Sequence, residues 1–333
     1  MKEVLHHLFE HKTLSKTEAT EILKNIALGK YNHSQIAAFM TVYLMRSITV
    51  EELEGFREAM LDLCIALDLD AYQAIDLCGT GGDGKNTFNI STLASFVVAG
   101  TGQAVAKHGN YGVSSVCGSS NVLEYFGIHF TNQVDTIRQQ LEQANICILH
   151  APLFHPALKN VAPIRRELGV KTFFNMLGPM VNPAFPKNQM VGVFNLELAR
   201  LYAYLYQKTD KNFSIVHSLD GYDEVSLTDN FKIFSRNQEY LAEPNIFVEE
   251  KIRFEQIYGG ETIAEAAEIF MNVLNNRCTE AQKSVVLANA ALALQTAQPK
   301  MNLEEAQAQV KESLESGKAM ACFRKLQNLD LRH

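Results

Sequence analysis

The pattern of apolar positions divides the chain into a helical part and a part in which strands alternate with helices. In residues 1–70, Ser15 and Thr49 each stand three residues before a glutamate, which is the spacing of a capping box that opens a helix. One apolar stripe at helical spacing favours an internal core, with a subunit interface as the alternative. It comprises Ile36, Phe39, Met40, Tyr43 and Leu44. We therefore predict a small helical domain over residues 1–70.

From residue 74 onward, short β-rich runs alternate with helical patterns. The predicted buried strands are 74–78, 103–106, 146–150, 190–194 and 213–217, and the predicted helices between them lie near 90–100, 119–126, 133–144 and 196–207. Such alternation predicts an α/β fold with a central, mainly parallel sheet flanked by helices. A hairpin over 231–234 and 239–241 is expected at a sheet edge, and residues 261–330 return to helix. The catalytic α/β domain is expected to span 71–333, with helices near 160–185 joining residues 1–70 in space.

Composition narrows the functional class. The net charge of −7 gives no basic surface for nucleic acid. The six cysteines form no C-x-x-C pair, which argues against a structural zinc site or a disulfide framework. The N-terminus lacks the apolar core of a signal peptide, and no apolar run approaches the length of a membrane span. We expect a cytoplasmic protein that binds neither nucleic acid nor membrane.

A glycine-rich segment, residues 79–84, is the clearest chemical signal. It follows a predicted strand and precedes a helix, and glycine backbones with a helix N-terminus suit a phosphate group. The segment fits G-x-G-x-x-G, but Lys107 stands where a dinucleotide fold wants an acid for the ribose, which disfavours NAD. It also nearly fits the Walker loop, but Asn86 lacks the hydroxyl that such a loop gives to Mg²⁺. A P-loop nucleotidase is therefore a weak alternative.

Further motifs extend the signal along the chain. The sequence Lys107-His108-Gly109-Asn110 follows the second predicted strand, Ser114-Ser115 and Gly118-Ser119 come next, and Gly221-x-Asp223-Glu224 follows another strand. Between them lie Arg165-Arg166-Glu167-Leu168-Gly169 and Asn175-Met176-Leu177-Gly178-Pro179. At these residues, and from the N-terminal helices to the C-terminus, the chain resembles the anthranilate phosphoribosyltransferase family. Because ligands bind at the carboxyl ends of parallel strands, we expect the loops to converge on one edge of the sheet.

The resemblance implies a fold, a reaction and an assembly. The family joins a small helical domain through a hinge to a larger α/β domain of the nucleoside phosphorylase and phosphoribosyltransferase type. It implies transfer of the phosphoribosyl group of 5-phospho-α-D-ribose 1-diphosphate to the amine of anthranilate, with release of diphosphate, as the second step of tryptophan synthesis from chorismate. It also implies a homodimer formed through the helical domain, and two Mg²⁺ ions in each active site.

The resemblance also assigns site residues. Those expected to bind phosphoribosyl diphosphate are Gly79, Gly82, Asp83, Thr87, Asn89, Ile90, Ser91, Thr92, Lys107, His108, Gly109, Asn110, Ser115 and Ser119. Gly79, Asn110 and Arg165 are expected to bind anthranilate, while Ser91, Asp223 and Glu224 are expected to bind magnesium. No residue is assigned as a certain catalyst, although His108 and His155 are candidates for the acceptor pocket. A helix cap at Asn89 and solvated acids at 223–224 are the structural alternatives.

Three departures from the family pattern stand in the loop after Asn110. Tyr111-Gly112 replaces the usual arginine, Val116-Cys117 replaces lysine and a small residue, and Ser120-Asn121 replaces Ala-Asp. This less basic loop predicts weaker diphosphate binding without loss of activity. The alternative functions are a pyrimidine nucleoside phosphorylase and a nucleic-acid-binding paralogue. The motif at Arg165 argues against the first, and the negative charge with the retained acceptor residues argues against the second.

Overall fold

The computed structural model describes residues 1–112 and 116–330, and the chain forms two compact units. The smaller unit comprises Met1–Leu67 and Ala151–Phe185, and the larger comprises Asp68–His150 and the chain from Pro186 onward. The helices are α1 Lys2–Phe9, α2 Lys16–Ala27, α3 His33–Met45, α4 Val50–Asp62, α5 Ile90–Gly100, α6 Ser119–Tyr125, α7 Val134–Ala144, α8 Ala151–Phe154, α9 Ala162–Leu168, α10 Phe174–Leu177, α11 Leu196–Gln207, α12 Ile263–Leu274, α13 Glu280–Ala297, α14 Leu303–Glu315 and α15 Lys318–Asp330. The strands are β1 Ile75–Gly79, β2 Val105–Gly109, β3 Ile146–His150, β4 Asn188–Gly192, β5 Asn212–Ser218, β6 Phe231–Ser235 and β7 Glu239–Ala242.

Both predicted capping boxes are confirmed in the smaller unit. The Glu18 amide donates to Ser15 Oγ at 3.3 Å, and the Ser15 amide donates to the Glu18 carboxylate at 2.8 Å. Thr49 and Glu52 exchange the same two bonds at the start of α4. The Glu52 carboxylate is fully buried, and it also accepts from the Leu14 amide and forms an ion pair with Arg46. This acid therefore ties three segments together as well as capping one helix.

An aromatic cluster explains why two separate segments make one helical unit. Phe173, from the second segment, stacks on Phe56 of α4 at 4.5 Å between ring centroids and meets Phe39 of α3 edge-on. Backbone bonds add to the join, because the Ile65 amide donates to the Phe154 carbonyl at 2.8 Å. Most of the predicted apolar stripe belongs to this core, but Leu44 is exposed.

The larger unit contains a seven-stranded sheet in the order β3-β2-β1-β4-β5-β6-β7. The first five strands in that order are parallel, and β6 and β7 are antiparallel. The predicted α/β class, the mainly parallel sheet and the edge hairpin are thus confirmed. Strands β2 and β3 extend to one side of β1, whereas β4 and β5 extend to the other. The topology therefore reverses between β1 and β4, which is where open α/β sheets form a ligand crevice.

One predicted strand boundary is wrong in a way that affects the site. Strand β2 does not end at residue 106 but continues through Lys107, His108 and Gly109, which pair with β3 residues up to His150. The lysine is 2% exposed, so it is a buried strand residue and not part of a loop. A charged side chain is rarely buried without partners, and here the Lys107 ammonium donates to the Leu77 carbonyl at 2.5 Å.

Candidate functional site

The glycine loop leaves β1 and returns to α5 through backbone angles that favour glycine. Gly81, Gly82 and Gly84 have φ of 63°, 78° and 75°, in the left-handed region where other residues are strained. The loop folds on itself at Asp83, whose carboxylate accepts from the Lys85 amide at 2.9 Å. The loop thus leads into the start of a helix, where N–H groups suit an anion, although the Thr80, Gly81 and Lys85 amides already donate within the protein.

Two further glycines let an acidic loop approach the strand ends. Gly79 and Gly192 pair at the ends of β1 and β4. A Cβ atom at Gly79 would overlap the Asp223 carboxylate, and one at Gly192 would overlap the Asp223 backbone carbonyl. The Gly81 amide donates to Asp223 Oδ2 at 2.6 Å. The loop after β5 therefore packs directly on the glycine loop at the topological reversal, as expected from the sequence.

The two adjacent acids of this loop, Asp223 and Glu224, are buried and half-buried respectively. Asp223 is 7% exposed, and burial together with the neighbouring Asp83 raises its pKa to about 7. Burial and the charge of Asp223 raise the pKa of Glu224 well above its usual range. Glu224 also accepts from the Thr87 hydroxyl at 3.3 Å. The acids are therefore not solvated surface groups, and a cation would favour their charged forms.

The buried Lys107 lies beneath the start of α5. Its ammonium is 3.5 Å from Ser91 Oγ, and its charge lowers the pKa of Glu224 against the effect of burial. Burial lowers the pKa of Lys107 itself, while Cys78, Asp76 and Glu224 oppose that shift. The lysine thus joins strand β1, the helix start and the acidic loop in one electrostatic cluster.

The start of α5 carries polar groups that the fold does not use. Asn89 occupies the N-cap position but makes no side-chain cap bond, so the structural alternative of a helix cap does not apply. Its Nδ2 donates to the Cys117 carbonyl at 2.9 Å. Among the described residues, neither the buried Asn89 Oδ1 nor the buried Thr80 Oγ1 has a hydrogen-bond partner. The Ile90 amide donates to the Phe88 carbonyl at 2.6 Å, whereas the amides of Ser91 and Thr92, in the first turn of the helix, have no partner within it.

Sequence reasoning missed the residues that hold these loops from behind. Asn289 of α13 accepts from the Val225 amide at 3.1 Å and donates to the Val225 carbonyl at 2.9 Å. Ser218 Oγ donates to the Glu224 carbonyl at 2.6 Å. The segment after the glycine loop is held by residues 257–260, because the Gly259 amide donates to the Asn86 carbonyl at 2.7 Å. Of these residues, only Asn289 could have been noticed in the sequence, because it is a polar residue within an alanine-rich helix.

The end of β2, the loop after it and the start of α6 contain the remaining residues of the larger unit that are predicted to bind the donor. Asn110 is exposed, and its carbonyl accepts from Ser119 Oγ at 3.1 Å. The backbone amide of His108 donates to the buried Asp76 at 3.0 Å, and Gly109 ends the strand. Ser115 lies outside the described residues, so its predicted role has no structural account.

The predicted acceptor residues of the smaller unit are Arg165 and His155. Arg165 of α9 is partly buried, with its guanidinium 3.2 Å from Asn175 Oδ1 and 5.4 Å from the Phe174 ring centre. Burial lowers its pKa, and no carboxylate among the described residues forms an ion pair with it. Arg166 is exposed, so Arg165 is the better-defined site. His155 Nε2 lies 2.9 Å from the Val181 carbonyl, which is a structural contact within the unit.

The described residues contain no group of three or more His, Cys, Asp or Glu side chains arranged to hold a metal. The adjacent carboxylates of Asp223 and Glu224 are of the type that Mg²⁺ accepts, since it keeps waters and takes phosphate oxygens as its other ligands. Within the described ranges, no helix is long and apolar enough to cross a membrane.

Sequence comparisons give a family and named relatives. The family described as "Glycosyl transferase family, a/b domain" matches residues 71–320, and its helical bundle domain matches residues 2–64. The chain is 61% identical over 329 residues to the anthranilate phosphoribosyltransferase of Christiangramia forsetii, covering 99% of each chain. It is 60% identical over 331 residues to that of Flavobacterium johnsoniae, covering 99% of this chain and 100% of the relative.

Solved structures agree as well. The Thermus thermophilus anthranilate phosphoribosyltransferase superposes with a TM-score of 0.90 at 29% identity, covering 98% of this chain and 99% of that one. The Saccharomyces cerevisiae enzyme in complex with PRPP (phosphoribosyl diphosphate) and Mg superposes with a TM-score of 0.91 at 26% identity, covering 99% and 97%. Identity of 60–61% over nearly the whole length of two named relatives therefore shows that the chain belongs to the anthranilate phosphoribosyltransferase family.

Proposed function

We propose that this chain transfers the phosphoribosyl group of 5-phospho-α-D-ribose 1-diphosphate to the amine of anthranilate, the second step of tryptophan synthesis from chorismate. The convergence of the glycine loop, Lys107 and the acids Asp223 and Glu224 at the β1–β4 reversal carries this assignment. Relatives at 60–61% identity are named for this activity, and a yeast relative has been solved with PRPP and Mg.

The donor is proposed to lie along the glycine loop and the start of α5. Backbone N–H groups of the loop and of Ser91 and Thr92 meet phosphate oxygens, and the unpartnered Asn89 Oδ1 accepts from a ribose hydroxyl. Thr80, which the sequence did not single out, offers a second unpartnered oxygen beside them. We also propose donor binding for the other residues expected from the sequence around these two segments, namely Gly82, Thr87, Ile90, Lys107, Gly109 and Ser119.

The chemistry requires stabilisation of a leaving group more than a strong base. The amine displaces diphosphate at the anomeric carbon through a transition state with oxocarbenium character, so negative charge grows on the diphosphate. Preorganised donors aimed at that charge lower the barrier. An aromatic amine loses its proton late, and the hydrogen bond of His155 to Val181 leaves that histidine a structural role.

Magnesium is proposed to bind at Asp223, Glu224 and Ser91, with two ions in each site. Burial raises the pKa of both acids, and neighbouring negative charge adds to it, from Asp83 for Asp223 and from Asp223 and Asp83 for Glu224. A divalent cation would relieve both effects. Magnesium would screen the diphosphate and stabilise it as a leaving group. The ion number can be measured by calorimetric titration in the presence of diphosphate.

Anthranilate is proposed to bind through Gly79, Asn110 and Arg165. A guanidinium binds a carboxylate well, and Arg165 has no carboxylate partner among the described residues. We expect Arg165→Ala to raise the KM for anthranilate about ten-fold or more, since a charged hydrogen bond contributes about 1.5–3 kcal/mol. The exposed Arg166→Ala is the matched control. A defect confined to the donor KM would show that the role is wrongly assigned.

The assembly and location are also proposals. We infer a homodimer through the helical domain, because Met45 at the end of α3 is 83% exposed and Leu44 beside it is 46% exposed, which is unusual for large apolar side chains. Met45→Glu should convert dimer to monomer in light scattering if this surface is the interface. A cytoplasmic location fits a phosphorylated donor, which its charge retains inside cells.

One assay tests the main proposal. Anthranilate is fluorescent, and its loss can be followed with phosphoribosyl diphosphate and Mg²⁺. No loss at high enzyme concentration would refute the assignment. Phosphorolysis of uridine or thymidine under the same conditions would instead support the pyrimidine nucleoside phosphorylase alternative.

A further inference from the structure

The loop that departs most from the family pattern has both its ends fastened to α6. Asn121 Oδ1 accepts from the Gly112 amide at 2.9 Å and from the Gly118 amide at 3.0 Å. The two ends are also in close contact, since a Cβ atom at Gly118 would lie 2.6 Å from the Tyr111 carbonyl carbon. One amide oxygen thus closes the loop at its base, and only glycine fits at position 118.

Tyr111 adds a second attachment to the same helix. Its hydroxyl donates to Glu124 Oε1 at 2.6 Å, and Glu124 lies one helical turn beyond Asn121, on the same face of α6. The ring meets His150 edge-on with centroids 4.8 Å apart. His150 is itself fixed, because it stacks on Phe130 at 4.5 Å and its Nδ1 lies 2.9 Å from Ser120 Oγ.

These contacts determine where Asn110 lies. The Tyr111 amide donates to Asn110 Oδ1 at 2.8 Å, and the Asn110 carbonyl accepts from the Ser119 hydroxyl and the Ser120 amide, both at 3.1 Å. Asn110 is exposed and directly follows β2, and the Tyr111 amide holds its side-chain oxygen. A shift of Tyr111 would move Asn110 and alter its contact with Ser119.

We propose that Tyr111 is a positioning residue for phosphoribosyl diphosphate, acting through Glu124 and His150 to hold Asn110 and Ser119 in place. The inference rests on the donor site described under Proposed function. Tyr111 holds the start of this loop in place by hydrogen bonding and ring packing, whereas a basic side chain would do so by its charge. The hydrogen bond between Tyr111 and Glu124 therefore compensates in part for the donor affinity lost with the basic residues of the loop.

Four variants test the pair. Tyr111→Phe keeps the ring and removes the hydroxyl, whereas Tyr111→Ala removes both. Glu124→Gln keeps an acceptor oxygen, whereas Glu124→Ala removes it. The matched control is Tyr72→Phe, because Tyr72 donates to Glu142 at 3.0 Å in an exposed pair of the same chemistry elsewhere on the larger unit. Thermal unfolding of each variant establishes that it is folded.

Donor affinity is measured by calorimetry with Mg²⁺ and without anthranilate, so the readout does not require turnover. We expect Tyr111→Phe to weaken donor binding and raise donor KM about five-fold, equivalent to about 1 kcal/mol, with kcat within about two-fold. Tyr111→Ala should weaken binding further, Glu124→Gln should retain most of the affinity, and the Tyr111→Phe and Glu124→Ala effects should not add.

Unchanged donor affinity in Tyr111→Phe, or an equal loss in Tyr72→Phe, would overturn the inference. A fall in kcat with unchanged donor affinity would also overturn it. These outcomes presuppose a wild-type protein that binds the donor and consumes anthranilate. A wild-type protein that binds the donor without consuming anthranilate would refute the proposed acceptor and leave the Tyr111 test valid. A wild-type protein that does not bind the donor would refute both the proposed function and the positioning role of Tyr111.

Discussion

A methyl group added at Gly79 is predicted to displace the Asp223 carboxylate without unfolding the protein. The new Cβ atom would overlap Asp223 Oδ2 and lie 3.0 Å from its Cγ. The carboxylate is the far end of a side chain that can rotate, but rotation breaks its 2.6 Å bond from the Gly81 amide. A hydrogen bond to a charged group contributes about 1.5–3 kcal/mol. We therefore expect Gly79→Ala to weaken Mg²⁺ binding about ten- to hundred-fold.

The same change at Gly192 should behave differently, although the two glycines are paired neighbours. Its Cβ atom would overlap the Asp223 carbonyl oxygen and lie 2.5 Å from the carbonyl carbon. A backbone held by Ser218 and Asn289 on its far side cannot rotate away, so the strand end or the loop must shift. Overpacking typically costs about 1–3 kcal/mol, which lowers the unfolding temperature by several degrees, at about 2–4 °C per kcal/mol.

Two measurements separate these outcomes. Anthranilate consumption is followed over a range of Mg²⁺ concentrations, and thermal unfolding is recorded without the metal. Gly79→Ala should show a large change in the first and a small change in the second, while Gly192→Ala should show a large change in the second. Wild-type Mg²⁺ dependence in Gly79→Ala would refute the role of the close approach. Equal thermal destabilisation of both variants would refute the distinction between side chain and backbone.

Three further predictions follow from the acidic loop. Asp223→Asn combined with Glu224→Gln should abolish turnover and leave circular dichroism unchanged, and near-normal Mg²⁺-dependent activity would remove these acids from the mechanism. Burial and Asp83 raise the pKa of Asp223 from 3.8 to about 7. Between these two pH values the metal-free native protein binds more protons than the unfolded chain. The stability of the native protein therefore falls as pH rises from about 4 to about 7. Because Mg²⁺ needs the deprotonated acid, its stabilising effect on the unfolding temperature should be larger at pH 8 than at pH 6, and an equal effect would contradict the assignment. Asn289→Ala removes both hydrogen bonds to Val225 and should raise the Mg²⁺ concentration required for activity about ten-fold. Asn272→Ala is the control, because it removes an asparagine side chain from another helix. An unchanged Mg²⁺ requirement in Asn289→Ala would show that these two bonds do not position the acids.

The sequence predicted those parts of the fold that local pattern determines. Capping boxes depend on residues three apart, and strands depend on runs of apolar side chains, so both were recognisable. The second segment of the helical unit is different, because it joins that unit through contacts such as Phe173 with Phe56. No local pattern encodes such a contact, and only the resemblance suggested that helices near 160–185 belong with the first 70 residues.

Lys107 shows why the electrostatic state of the site was beyond local pattern. A lysine at a predicted strand end is expected to be solvated, because burying an ammonium without partners costs several kcal/mol. Its partners come from elsewhere in the chain: the Leu77 carbonyl is 30 residues away, and Glu224 lies in the loop after β5. Asp223 similarly meets the Gly81 amide across 142 residues. Residue type, position at a strand end and the family resemblance together suggested candidate ligands, whereas burial and protonation depend on groups that only the folded chain brings together. Lys107 tests this dependence directly: Lys107→Met retains the stem, removes the charge near Glu224, and should weaken donor binding while raising the pH at which Mg²⁺ binds.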